Sequence, residues 1–321
     1  MAEDKKAAGF FQRQPIMRSV LISLVPVTLG AVFFFGLRVL LLLAVVTAAG
    51  IATETVFARK RDARVTESVL VTCLLFTLSL PVATPFWVAA VGIVFGVLFA
   101  KEVFGGFGRN VFNPAIVART FVFISFPEAL TASWSQPFTH FPGGWVRYQA
   151  PLLDSLTQAT PLAAFSRMGE VLPPAQVIWG YTSGSMGETS VVLLLLGAAY
   201  MVLRKAADWR LMAAPIAGFV GLSALLNLLQ VENVPHPLYG LVTGGFLFLA
   251  LYFVCEPVTS PRTTEAKWVY GLLVGIITVA IRYYGIFPEG ASFSLLIMNT
   301  FVPVMDEGVK TLKNSRKQVS T

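Results

Sequence analysis

Apolar runs of close to 20 residues recur along most of the chain, each long enough to cross a hydrocarbon layer of about 30 Å as a helix. They extend from Ile16 to Gly36, Val39 to Phe57, Val69 to Pro81, Phe86 to Ala100 and Ala115 to Phe126. A second group extends from Val191 to Leu203, Leu211 to Leu229, Leu238 to Cys255, Val269 to Ile281 and Ser292 to Val304. Backbone groups in lipid must be satisfied within each segment, so the pattern predicts an all-α polytopic membrane protein. It has about ten transmembrane segments in two halves of five.

Several segments are too short to span alone. Val69 to Pro81 ends at "PVATPF", and Ala115 to Phe126 follows "GGFGRNVFNP". Gly/Pro-interrupted segments of this kind point to broken helices around a central site, and an odd number of segments per half would set similar halves in opposite orientations. The resulting division is a first membrane half over 16–126, a long polar loop over 127–189 and a second membrane half over 190–305. Residues 1–15 and 306–321 form the terminal arms.

Composition supports this reading, since 55% of the 321 residues are hydrophobic and only 13% are charged, against about 25% charged in soluble domains. The N-terminal stretch "MAEDKKAAGFFQRQPIMRS" has no small-residue cleavage site, so the first apolar run is expected to be retained as a helix. Counting the 24 Lys and Arg alternately across the segments places 20 on the side of the N-terminus and four, Arg38, Arg147, Arg167 and Arg282, on the other. The positive-inside rule then puts both termini in the cytoplasm and the long loop outside. Topology therefore accounts for the net charge of +7 without a nucleic-acid partner. Cys73 and Cys255 lie in or beside apolar runs and read as small buried hydrophobes, and the chain has no C-x-x-C spacing to hold zinc or an iron-sulfur cluster.

The long loop carries the chemistry. Connections beyond about 15 residues are usually functional or disordered, and Trp134, Phe138, Phe141, Trp145, Tyr148 and Phe165 argue against disorder. Within it lies "DSLTQAT", an aspartate, Asp154, six positions before a threonine, Thr160, with Thr157 and Ala159 between them. On residue chemistry alone this is a hydroxyl-rich turn. Downstream, "YTSGSMGETS" offers Ser185, Gly187 and Thr189 near the start of the sixth segment, with two readings. One is an ordinary helix cap with Glu188 in its first turn, and the other a ligand-lining loop. In "GGFGRNVFNPA", Gly105, Gly106 and Gly108 permit close backbone approach, and Asn110 and Asn113 can offer amides.

Ionisable groups in or beside apolar segments are costly and usually line an interior or an ion route. Glu54, Glu67, Glu102, Glu188, Glu256 and Asp306 are so placed. Local pairing predicts Glu54 with Arg59, Glu102 with Lys101 and Asp306 with Lys310. Glu102 and Glu256 abut broken segments and, with Glu188 and Asn113, are the ion-pathway candidates. His140 and His236, without spaced partners, read as surface residues, and no metal site is expected.

"DSLTQATPL" resembles the flavinylation motif of the RnfD/NqrB family: an aspartate, two variable residues, Ser or Thr, one residue, then Ala-Thr. "KEVFGGFGRNVFNPA", "GSMGETS", "EPVTSP" and "FPEGASFSLLIMNTFVPVMD" resemble the other family signatures in order and spacing, covering the chain from Gln14 to Asp306. The one departure is Gln158, where many members have Gly. The resemblance implies FMN attached to Thr160 through a phosphoester and a second, noncovalent flavin, such as riboflavin, among the helices. It also implies an inner-membrane location, a flavin transferase for maturation, and partner subunits that bring iron-sulfur centres and another flavin. The implied function is one-electron transfer coupled to Na⁺ or H⁺ movement, in an Rnf-type complex or a sodium-translocating NADH:quinone reductase. The subunit is not expected to be active alone. Without the resemblance, a solute transporter or channel, or a structural anchor for other subunits, fits the same segment pattern.

Overall fold

A computed structural model describes residues 10–131, 134–148, 160–285 and 290–319. The N-terminal end opens with a two-residue strand, β1 (Phe11–Gln12), then α1 (Pro15–Phe35) and α2 (Arg38–Lys60). Pro15 suits the first helical position, where its missing N–H costs nothing. A second short strand, β2 (Val65–Thr66), pairs in parallel with β1 and precedes α3 (Ser68–Leu78) and α4 (Phe86–Val97). α4 widens into a π-helical turn over Leu98–Glu102, and a glycine loop leads to α5 (Pro114–Ser125). Gly105, Gly106 and Gly108 all have positive φ, and a Cβ on Gly106 would also sit 3.0 Å from the Arg61 guanidinium. That loop therefore needs glycine for both conformation and space.

Between the halves lie short elements: α6 (Pro127–Thr131), a 3₁₀ turn over Gly143–Val146, α7 (Pro161–Met168) and α8 (Pro174–Trp179). The second half comprises α9 (Val191–Leu203), α10 (Trp209–Leu228), α11 (Pro237–Val242), the single turn α12 (Phe246–Phe248), a π-helical turn over Leu249–Phe253, α13 (Thr264–Tyr284) and α14 (Ala291–Val319). The chain is thus an all-α polytopic membrane protein, as its pattern predicted.

Four helices, α1, α2, α10 and α13, are long and apolar enough to cross a membrane unaided. α3 is not: its 11 residues span about 17 Å at 1.5 Å each. The eighth expected segment is interrupted at Thr243-Gly244-Gly245, where Gly244 has φ +72°. α14 runs past residue 306 as one helix to Val319.

α10 and α13 form the most extensive helix pair. Gly271 and Gly275, four apart on α13, face Ala214, Pro215 and Gly218 of α10, and a Cβ on Gly275 would meet the Pro215 carbonyl oxygen. In lipid such pairs are held by close van der Waals contact between small residues, because apolar burial gives no advantage there. The two halves join through α1 against α9 and α5 against α14, first segment on first and fifth on fifth.

Candidate functional site

Thr160 is the N-cap of α7. Its backbone is extended (φ −63°, ψ 157°), and its Oγ1 accepts a hydrogen bond from the Ala163 N–H at 3.2 Å. Pro161 supplies the first helical position, and Gly169 ends the helix in the left-handed conformation. The hydroxyl is half-buried at the positive end of a short helix, a favourable place for a phosphate group. Ala164 and Met168, one and two turns along the same face, line an open groove of about 400 Å³. Its other walls include Gln136, Glu170, Gln176, Tyr181, Thr182 and Ser183. Tyr181 packs edge-to-face on Phe34 of α1, which fixes that wall against the membrane bundle. Asp154, Thr157 and Ala159 lie outside the described residues.

The Ser185–Thr189 loop is docked on the end of α3. The Met186 N–H donates to the Leu80 carbonyl (3.0 Å) and the Gly187 N–H to the Leu78 carbonyl (2.6 Å). A Cβ on Gly187 would come within 2.8 Å of Leu78 Cβ, so only glycine permits this approach. The Glu188 carboxylate accepts from the Ser185 N–H at 2.9 Å, closing the turn before α9 rather than capping the helix itself. Ser185 Oγ is fully buried with no hydrogen-bond partner, an exception to the satisfaction usual for buried polar atoms. Of this stretch Tyr181, Thr182 and Ser183 face the groove, whereas Ser185, Gly187 and Thr189 do not.

A second polar centre lies where the two π-helical turns meet the loops that follow them. Asn113 caps α5, its Oδ1 accepting from the Ala115 (3.0 Å) and Ile116 (3.3 Å) N–H groups. Its Nδ2 donates to the carbonyl of Phe253 in the second π-helical turn at 3.2 Å, and its own N–H donates to Asn299 Oδ1 of α14. Glu256 accepts from Asn110 Nδ2 at 3.2 Å and from the Thr259 hydroxyl at 3.0 Å. Among the described residues no cation lies within ion-pair distance of it. Asn110, Asn113 and Glu256 line a cavity of about 40 Å³ with Lys101, Ser68 and Tyr252. That is room for water or an ion.

The buried charges pair differently from the local expectation. Glu54 does not reach Arg59; its Oε2 accepts from Lys101 Nζ at 2.7 Å, and its Oε1 accepts from the Thr66 N–H (2.8 Å) and hydroxyl (2.6 Å). Lys101 also donates to Thr66 Oγ1 and Ser68 Oγ, both at 2.8 Å. Glu102 pairs not with Lys101 but with Arg61, and its Oε1 is buried without a partner. Lys101 and Glu102 are consecutive residues of one helical turn, so their side chains do not face each other and each reaches a different neighbour, Glu54 and Arg61. Asp306 is held by the N–H groups of Arg262 and Thr263 and the Thr263 hydroxyl, with Lys310 acting only at longer range. Glu67 pairs with Arg18 and accepts from the Gln14 N–H, the interfacial pairing its position implies. His140 and His236 are exposed, and Cys73 and Cys255 are buried free thiols, as read from the sequence.

The structure therefore separates the predicted residues. Thr160 caps the helix whose Ala164 and Met168 line the inter-half groove, while Asn113 and Glu256 share the bundle cavity. Glu102 stands on the Arg61 side of the first π-helical turn. Glu188 lines a third, smaller space with Arg119, Arg282 and Ser292. Sequence reasoning missed Lys101 as a cavity wall, although a lysine in an apolar run calls for an acidic partner from another segment.

Residues 10–313 match the NQR2, RnfD, RnfE family. Proteins named as a subunit of Na(+)-translocating NADH-quinone reductase are similar: that of Azotobacter vinelandii is 38% identical over 80% of this chain and 63% of its own length. Those of Pseudomonas aeruginosa PAO1 and Klebsiella pneumoniae 342 are 36% and 33% identical, over 80% and 87% of this chain and 63% and 67% of their own lengths. The chain thus spans about 63% of the length of the first of these relatives. With a family match across nearly every described segment, the chain belongs to the NQR2, RnfD, RnfE family.

Proposed function

We propose that this chain is the membrane flavin subunit of an ion-translocating electron transport complex of the Rnf or sodium-translocating NADH:quinone reductase type, with FMN joined to Thr160 through a phosphoester. The observation that carries the proposal is the Thr160 hydroxyl, half-buried at the N-cap of α7 beside an open groove and at the last position of the "DSLTQAT" motif. When bound there, FMN supplies reversible one-electron transfer. The chain's part is to hold and orient. The first-turn N–H groups of α7 favour the phosphate, and the Ala164/Met168 face and Tyr181 offer walls for a flat ring.

A neutral threonine hydroxyl is a poor nucleophile, so attachment requires a separate transferase that activates it. Asp154, Thr157 and Ala159 then belong to the sequence this enzyme reads. Ser185, Gly187 and Thr189 act behind the groove by fixing the loop that carries Tyr181 to Ser183. In the bundle, Glu256, Asn113, Glu102 and Glu188 are proposed for the ion route, Na⁺ or H⁺. Support comes from an unpaired carboxylate at the cavity and an orphaned carboxylate oxygen beside Arg61. A second, noncovalent flavin belongs among the helices, and partners are the other membrane and peripheral subunits in a bacterial inner membrane. Both termini are placed in the cytoplasm and Thr160 outside, on the distribution of Lys and Arg.

Expression with a flavin transferase tests the proposal. The denatured wild-type band fluoresces as a flavin in a gel, Thr160→Ala does not, and Thr160→Ser, which keeps a hydroxyl, retains part of the signal. Absence of fluorescence in the wild type would favour the second reading, a transporter without flavin, for which the broken helices and buried charges also argue.

A further inference from the structure

At the end of the bundle where α9 finishes and α10 and α13 begin lies an open cavity of about 540 Å³. Its lining includes Lys205, Arg210, Arg262 and Lys267 against a single carboxylate, Asp208. Asp208 is already engaged. It caps α10 through the Arg210 N–H (3.0 Å) and holds Lys267 Nζ at 2.7 Å and the Arg210 guanidinium at 3.6 Å. Burial works against its charge, yet Lys267 and the Arg210 N–H more than offset this and hold its pKa below the usual 3.8. Its charge is therefore spent within the wall. Among the described residues neither the Lys205 ammonium nor the Arg262 guanidinium has an anionic partner. Two cations are left facing an open space much larger than an inorganic ion.

Two further observations select the class of ligand. Trp209, half exposed, packs edge-to-face on Trp268 at the same end of the bundle, and tryptophans of this kind sit at the headgroup level of a bilayer. Beyond the rim, Leu196 and Leu203 lie seven residues apart on one face of α9, 55% and 81% exposed, an apolar track leading away from the basic cavity. A dissolved anion has no use for such a track. We propose that this cavity binds the phosphodiester headgroup of an anionic phospholipid, with Lys205 and Arg262 on the phosphate and an acyl chain along Leu196 and Leu203. Basic pockets between membrane helices bind acidic headgroups in this way. Ala206, Ala207, Cys255 and Pro257 line both this cavity and the one around Glu256, so the headgroup would lie directly across the wall of that buried cavity. The inference is independent of flavin attachment.

The test is native mass spectrometry of the full chain released from phosphatidylcholine nanodiscs containing a minor fraction of phosphatidylglycerol. Wild type is expected to retain phosphatidylglycerol in preference to phosphatidylcholine. Lys205→Gln/Arg262→Gln is expected to lose that preference by about fivefold per cation removed. Arg59→Gln/Lys60→Gln, which removes two cations elsewhere, leaves it unchanged, and Lys205→Arg/Arg262→Lys, which keeps both charges, preserves it. Retention in Lys205→Gln/Arg262→Gln equal to wild type would overturn the proposal. So would equal retention of phosphatidylcholine, or displacement by inorganic phosphate at equal phosphate concentration, which would assign the site to the dissolved ion.

Discussion

The Lys101–Glu54 pair is the most consequential interaction in the first half, and its removal should be non-additive. Both side chains are 3% exposed, and the ammonium makes three hydrogen bonds, to Glu54, Thr66 and Ser68. Glu54→Leu leaves a buried ammonium with two neutral acceptors and strips the Thr66 N–H of its partner. Breaking a buried pair on one side costs about 3–5 kcal/mol, mainly through the charge left behind. Lys101→Met is the milder change, because Glu54 Oε1 keeps the Thr66 N–H and hydroxyl. In Glu54→Leu/Lys101→Met no charge remains. Thr66 and Ser68 still bond to each other at 2.7 Å, and the chief loss is the orphaned Thr66 N–H, about 1–3 kcal/mol. The double variant should thus be more stable than Glu54→Leu alone. Thermal unfolding in detergent gives the order. In a Cys255→Ser background, maleimide labelling of Cys73, buried between α2 and α3, reports local opening. Additive single effects, or single variants as stable as wild type, would refute the reasoning.

Gly275→Val should separate α10 from α13, because even its Cβ would collide with the Pro215 carbonyl oxygen, a backbone atom that cannot swing aside. A loss of about 3 kcal/mol, read as a lowered unfolding temperature, is expected. For Asp306, beyond the apolar part of α14, burial opposes the charge, but hydrogen bonds from Arg262 and Thr263 hold its pKa below the ordinary 3.8. A lowered carboxyl pKa gives stability that is present above the ordinary value and lost as pH falls through the lowered one. Thermal stability of wild type relative to Asp306→Asn should therefore be greatest near neutral pH and converge below about pH 3.8; a difference independent of pH would contradict it.

Much of the fold is legible in the sequence because lipid imposes one strong rule on the backbone. Val191–Leu203 is a helix with the bounds its apolar run has, and most other runs lie within a few residues of their helices, although α14 continues to Val319, 15 residues past the run that ends at Val304. The break at Thr243-Gly244-Gly245 carries a signal, two glycines inside an apolar run, but the π-helical turns carry none, since one inserted residue leaves no mark on hydropathy. The β1–β2 pair is equally silent: two residues per strand form no alternating pattern. Of the site, the "DSLTQAT" threonine is readable as a motif, whereas Tyr181 to Ser183 gain their place only when the following loop docks on α3. Charge pairing is not legible in the same way, because proximity in sequence favours Arg59 for Glu54. The bundle instead brings Lys101 across from another helix.

The central claim is a covalent flavin on a single hydroxyl, and intact-mass spectrometry tests it most directly. The chain, purified from cells that contain a flavin transferase, should be heavier than its sequence by one FMN less one water. Fragmentation should place the addition on Thr160, and Thr160→Ala should show the unmodified mass. A wild-type chain at its sequence mass in those cells, or an addition placed on another residue, would contradict the account.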